Sequence, residues 1–244
     1  MTKLYVCEIS NLIKEVKADS NALENYFDKL GKQRIEHILK NNKAEDRARA
    51  LGASYLLLFA LEKEGYPIES LPDFSYKENG KPYLKQYPDV YFNISHTKNI
   101  ITCVISSVEV GVDIEHVRKI SETTINKVFS ENEKKLAGFS TEGYIRLWTM
   151  KEACAKFSGT GLSAILDGME VVEKGNEKYI KKLNQDIRKT FCCKVIAEGK
   201  LLDDNNCSYY YSVCVNEGCK TTMDCSVVLV NRYTWNNGKF IEYI

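Results

Sequence analysis

Helical periodicity followed by strand alternation occurs twice along this chain of 244 residues. No other property of the sequence restricts its fold as much. In the first half a strand is expected near Leu4 to Ile9, helices near Ser20 to Leu39 and Ala44 to Glu62, and strands near Val90 to Ile94, Ile101 to Ser106 and Val110 to Glu115. In the second half helices are expected near Ser121 to Val128, Glu131 to Phe139 and Glu142 to Ser158. Strands follow near Met169 to Glu173, Phe191 to Ala197, Ser208 to Val215 and Cys225 to Leu229. Helices followed by a meander of strands, repeated, predict an α+β fold in two halves, residues 1–115 and 116–244. No sequence identity is evident between the halves, so the repeat is one of order alone.

Composition narrows the function. A net charge of +1 leaves no broad basic surface for nucleic acid. No apolar run approaches the ~18 residues of a membrane span, and Met1 to Val6 lacks the apolar core and cleavage site of a signal peptide. Nine cysteines without an export signal predict a reducing cytoplasm, with most thiols acting as small buried hydrophobes. Cys207, Cys214, Cys219 and Cys225 contain no Cys-x-x-Cys pair and argue only weakly for zinc. The four prolines, Pro67, Pro72, Pro82 and Pro88, mark a loop-rich stretch, and the charged segment Lys174 to Lys189 reads as a surface hairpin or loop without chemistry.

Two short strings carry the chemistry. In Gly111-Val112-Asp113-Ile114-Glu115, the two acids lie two apart in an expected strand and project to the same face. Converging carboxylates suit a hard cation such as magnesium, although solvated acids at a strand end are the ordinary alternative. In Trp148-Thr149-Met150-Lys151-Glu152-Ala153-Cys154-Ala155-Lys156, residues 148, 152 and 156 share one helical stripe. Glu152 and Lys156 also form the favoured i, i+4 pair of an exposed helix, but an indole on the same stripe favours a partly buried cleft. Ser158-Gly159-Thr160-Gly161 supplies a glycine stop.

These strings are joined upstream by Asp46-Arg47-Ala48-Arg49-Ala50-Leu51-Gly52, Asn79-Gly80-Lys81-Pro82-Tyr83 and Phe92-Asn93-Ile94-Ser95-His96, and between them lies Val128-Phe129-Ser130-Glu131-Asn132-Glu133. In this order they resemble the 4'-phosphopantetheinyl transferase superfamily, Sfp type, over roughly residues 46 to 162. The resemblance implies two similar subdomains packed as a pseudo-dimer, with coenzyme A in the cleft between them. It implies transfer of the phosphopantetheine arm of coenzyme A to a serine of a carrier protein. Asp113, Glu115 and Glu152 would hold Mg2+, Glu152 would also serve as general base, and Lys156 would contact the diphosphate and protonate the leaving phosphate. Lys151 would be a second phosphate contact, and Ser95 and His96 would touch the diphosphate and 3'-phosphate. Arg49 would hold the 3'-phosphate with Arg47 as a weaker second, and the turn at Lys81 and Pro82 would approach the adenine edge. Each also has an ordinary reading: a turn cap for His96, a solvated helix start for the arginines, a loop lysine for Lys81.

The implied partner is an apo acyl carrier or peptidyl carrier protein, received on a ledge including Ile120, Val128, Phe129, Lys134, Lys135 and Leu136. A cytoplasmic monomer is expected, without nucleic-acid or membrane partners. Two other readings stay open: a magnesium and coenzyme A sensor that does no transfer, and a different magnesium-dependent phosphotransferase. The second lacks the Gly-x-x-x-x-Gly-Lys-(Ser/Thr) loop of its commonest class.

Overall fold

A computed structural model describes residues 2–183, 190–218, 229–236 and 238–242. From the N-terminus the chain forms β1 (Lys3–Glu8), α1 (Ser10–Ala18), a 3-10 helix (Ser20–Lys29), α2 (Lys32–Leu39) and α3 (Ala44–Lys63). Then come β2 (Ser75–Tyr76), β3 (Pro82–Tyr83), β4 (Tyr91–Thr97), β5 (Ile100–Ser106) and β6 (Val110–His116). A helical stretch follows, α4 (Glu122–Val128), α5 (Glu131–Leu136), α6 (Thr141–Ser158) and α7 (Gly161–Leu166). The remaining strands are β7 (Met169–Lys174), β8 (Glu177–Leu183), β9 (Thr190–Leu202), β10 (Ser208–Asn216), β11 (Leu229–Asn236) and β12 (Lys239–Glu242). The fold is α+β, and no helix among the described residues is long and apolar enough to cross a membrane.

The elements gather into two compact units. One comprises Lys3–Ile105 with Leu229–Ile244, the other Met1–Thr2 with Ser106–Val228. The first holds a five-stranded sheet in the order β12-β11-β1-β5-β4. Here β1 pairs β11 in parallel and β5 antiparallel. Leu4, Tyr5, Val6 and Cys7 of β1 are all buried, the continuous apolar run of a strand covered on both faces. Helix α3 packs on this sheet through a core that includes Leu51, Leu56, Leu57 and Leu61.

The second unit carries a five-stranded sheet, β6-β10-β9-β8-β7, in which every neighbouring pair is antiparallel. Helix α6 lies against β6 and β10. Its Leu147, Met150, Ala153 and Cys154 join Ile180, Cys193 and Cys214 of the sheet in one apolar cluster. Thr149 and Ser212 hydroxyls meet at 2.9 Å inside this layer. Gly111 allows the close approach: a Cβ there would stand 2.0 Å from the Ala153 carbonyl oxygen and 2.5 Å from the Phe157 nitrogen.

Several elements differ from expectation. The single helix expected over Ser20 to Leu39 is broken at Leu30, whose backbone is extended at φ -125 and ψ 140, so a 3-10 segment and α2 form separately. The short α1, which no side chain caps, was not expected. Strand β6, placed by sequence at the end of the first half, belongs to the sheet of the second unit, and the chain's last strands return to the first. The charged stretch from Lys174, expected as a hairpin or loop, does contain the turn and second strand of the β7–β8 hairpin, and its residues 184–189 lie outside the described residues. Apart from Leu229, the strand expected at Cys225 to Leu229 lies outside the described residues, as do Cys219 and Cys225.

The obstacles to a side chain at residue 111 are backbone atoms of α6, which cannot rotate away. Gly111→Ala should therefore lower stability by about 3 kcal/mol through overpacking. A urea titration followed by circular dichroism checks this; an unchanged midpoint would mean that α6 can lift off β6 at little cost.

Candidate active site

Helix α6 is well delimited. The Ser140 side chain accepts from the Gly143 backbone N–H at 3.1 Å, and Gly159, at φ 70 in the left-handed region, donates its N–H to the Ala155 carbonyl. This matches the glycine stop expected from sequence. Between these ends Trp148, Glu152 and Lys156 are all half-buried, as a stripe lining a partly covered surface requires.

Strand β6 supplies the facing groups. Gly111, Asp113 and Glu115 alternate along it with Val112 and Ile114, and pairing with β10 sets Asp113 opposite Ser212 and Glu115 opposite Tyr210. Asp113 is buried, and its Oδ1 accepts from Lys156 Nζ at 2.7 Å. Glu115 is held by Arg118, whose Nη1 lies 2.5 Å from Oε2 and whose Nη2 lies 3.4 Å from Oε1. Burial, reinforced by the negative charges of Asp113 and Glu115 and only partly opposed by Lys156, pushes the Glu152 carboxyl up to about 7. The three carboxylates thus share one electrostatic neighbourhood.

This donor set, oxygen only and concentrated in negative charge, fits a hard divalent cation in its chemistry. Among the described residues, however, no three histidine, cysteine or carboxylate groups are gathered closely enough to hold a metal ion. Two of the three carboxylates instead face a lysine and an arginine.

Lys151 does not join this group. Its side chain is fully buried, and Nζ donates to the Val128 carbonyl at 2.7 Å and to Glu133 Oε2 at 2.8 Å. Burial pulls its ammonium pKa down, while Glu133 holds it up. Glu133 also accepts from the backbone of Ser130 and Val171, both at 2.9 Å. An ammonium so enclosed has no path to a phosphate, which removes Lys151 from the phosphate contacts the resemblance implied. The expected carrier ledge needs a similar correction. Val128 and Phe129 are buried, with Phe129 packed on Tyr144, while Lys134 and Lys135 remain at the surface or partly so.

The remaining candidates lie in the first unit. Arg49, near the start of α3, donates to the Lys98 carbonyl at 2.9 Å in the turn after β4 and is paired with Asp46. The same turn follows Ser95, which is buried, and His96, which is exposed. Arg49 and the Ser95-His96 strand end are thereby brought close. Arg47 is turned elsewhere, its Nε donating to the Asn41 carbonyl at 2.7 Å. Lys81 follows a tight turn at Gly80, φ 79, and is buried; Pro82 is half-buried. Sequence reading missed Arg118 and Glu133. Arg118 stands three residues beyond Glu115, just past the strand end, and Glu133 closes the capping box begun by Ser130.

Helix α6 and strand β6 thus set acidic side chains around Lys156. The sequence model of the 4'-phosphopantetheinyl transferase superfamily matches residues 109–209, the stretch containing this arrangement. The 4'-phosphopantetheinyl transferase Sfp of Bacillus subtilis (strain 168) is 31% identical over 153 residues, covering 61% of this chain and 68% of the relative. A second 4'-phosphopantetheinyl transferase of Bacillus subtilis is 35% identical over 133 residues, 52% of this chain and 59% of the relative. The 4'-phosphopantetheinyl transferase gsp of Aneurinibacillus migulanus is 26% identical over 185 residues, 73% of this chain and 75% of the relative. The chain belongs to the 4'-phosphopantetheinyl transferase superfamily.

The raised Glu152 pKa has a sign. The folded protein holds this proton more tightly than the unfolded chain, so stability falls as pH rises from 4.5 towards 7. In chelator, Glu152→Gln should melt roughly 5 °C above the unsubstituted protein at pH 8, with the difference gone at pH 4. A variant less stable at pH 8 would mean that the carboxylate sits in a favourable charge contact instead.

Proposed function

We propose that this chain moves the 4'-phosphopantetheine arm of coenzyme A to a serine of an apo acyl carrier or peptidyl carrier protein, releasing 3',5'-ADP. The observation that supports this most is the meeting of Asp113, Glu115, Glu152 and Lys156 across α6 and β6. In this reading Asp113, Glu115 and Glu152 hold Mg2+. When bound, the cation would neutralise the charge that builds on the diphosphate oxygens.

The chain's own residues supply the rest. The serine oxygen of the carrier attacks the β-phosphorus of coenzyme A, and the bond from that phosphorus to the 3',5'-ADP oxygen breaks. Glu152, half-buried on α6 and facing the acids of β6, would take the serine proton as general base. Lys156 would turn from Asp113 to the diphosphate and protonate the departing phosphate. Arg49 would hold the 3'-phosphate and Arg47 would assist it. Ser95 and His96 would bind the phosphates, and the backbone around Lys81 and Pro82 the adenine edge. We also assign to this proposal two similar subdomains about a pseudo-twofold axis, residues 1–115 serving the adenine and 3'-phosphate side and residues 116–244 supplying the long helix with Glu152 and Lys156 and the carrier-facing segment. It describes a cytoplasmic monomer without nucleic-acid or membrane partners.

Intact mass of an apo peptidyl carrier domain and an apo acyl carrier protein, each incubated with the protein, coenzyme A and magnesium, tests the reading. One phosphopantetheine should be gained on at least one carrier and lost with chelator. Glu152→Gln should slow the gain about a hundredfold. Coenzyme A binding without any gain would favour a sensor, and full turnover in the variant would remove Glu152 from its role.

A further inference from the structure

Resting on that assignment of the metal site, we propose that Arg118 is a resident counter-ion that a divalent cation must displace from Glu115, so that this arginine sets how tightly the metal is held. The geometry carries the inference. Glu115 stands near the end of β6, and the backbone just beyond is fixed by the Val117 N–H donating to the Ser208 carbonyl at 2.8 Å. Arg118 therefore starts from an anchored position and folds back over the strand end. Its guanidinium covers both Glu115 oxygens, at 2.5 and 3.4 Å, and Nη1 lies 3.5 Å from the His116 carbonyl. A planar fork across both carboxylate oxygens is the arrangement arginine makes and lysine cannot. It covers the oxygens a metal would use.

Arg118 can also leave. Its side chain is 43% exposed, whereas that of Glu115 is 19% exposed, so the guanidinium can swing into water while the carboxylate stays in place. Exposed ion pairs of this kind are weak and salt-screened, which makes such exchange easy. Asp113 meets Lys156 in the same manner. With two acids of the set facing protein cations, the described residues leave no three ligating groups converged on one point. Exchange of a monovalent side chain for a divalent ion would allow them to converge. While Arg118 occupies Glu115, the fraction of protein ready to bind metal is reduced, and the apparent affinity falls by that fraction.

The test counts Mn2+ in place of magnesium by electron paramagnetic resonance on the whole chain, with and without coenzyme A. Arg118→Gln should bind Mn2+ about 3 to 10 times more tightly than the unsubstituted protein. Arg118→Lys, which keeps the charge and loses the fork, should fall between them. Equal or weaker binding by Arg118→Gln would overturn the inference, since the arginine would then be neutral or helpful to the metal. Asp113→Asn and Glu115→Gln keep the two readings apart. If neither weakens Mn2+ binding in either condition, the metal site itself is misassigned; if both do while Arg118→Gln changes nothing, only the role of Arg118 fails.

Discussion

The second unit is organised by a contact without side chains on one side, the backbone of α6 lying directly against β6 at Gly111. Any larger residue would hold the helix away from the strand. Because Gly111, Asp113 and Glu115 share one face of β6, the same close approach brings Asp113 within 2.7 Å of Lys156 and both acids within electrostatic range of Glu152. The glycine is thus a spacer for charges two and four residues further on. The Thr149–Ser212 hydrogen bond and the apolar cluster around Met150 and Cys214 keep that spacing from drifting.

The Lys151–Glu133 pair fixes a neighbouring, buried side of the helix. A fully buried lysine depends on its partners, because removing one leaves an uncompensated charge inside the protein. Here the partners tie α6 to the Val128 carbonyl and, through Glu133, to the backbone of Ser130 and Val171. Helix α6 is therefore clamped against β7 and the α4–α5 connection by a polar network, while its half-buried stripe of Trp148, Glu152 and Lys156 faces the acids of β6. One lysine of the motif is structural and the other faces the acids.

Much of this was legible in the sequence wherever the signal is local. Helix α6 was expected to within one residue of its start and at its end, because regular periodicity and a glycine stop agree. The two acids of β6 were expected on one face because strand periodicity leaves no other choice. Lys151 was misread through its place beside Glu152 in a motif, although helical geometry argues against it. Residues 147, 151 and 155 share a stripe, and both Leu147 and Ala155 are buried. Arg118 could not be found because its partner is chosen by how the chain turns after β6, which periodicity does not encode. The pairing of β1 with β11 had no local signal at all, since its partners are separated by more than two hundred positions.

That last pairing has a consequence for how the protein is made. β1 lies in the middle of its sheet, yet one of its two neighbours is synthesised more than two hundred residues later. During translation the first unit must wait, with one edge of the buried run Leu4 to Cys7 unsatisfied, while Ser106–Val228 emerges as an uninterrupted stretch able to collect its own sheet and helices. Such long-range closure is slow and leaves a strand edge open to other chains. The nascent protein is therefore most vulnerable to aggregation in the interval between synthesis of Ser106–Val228 and arrival of β11.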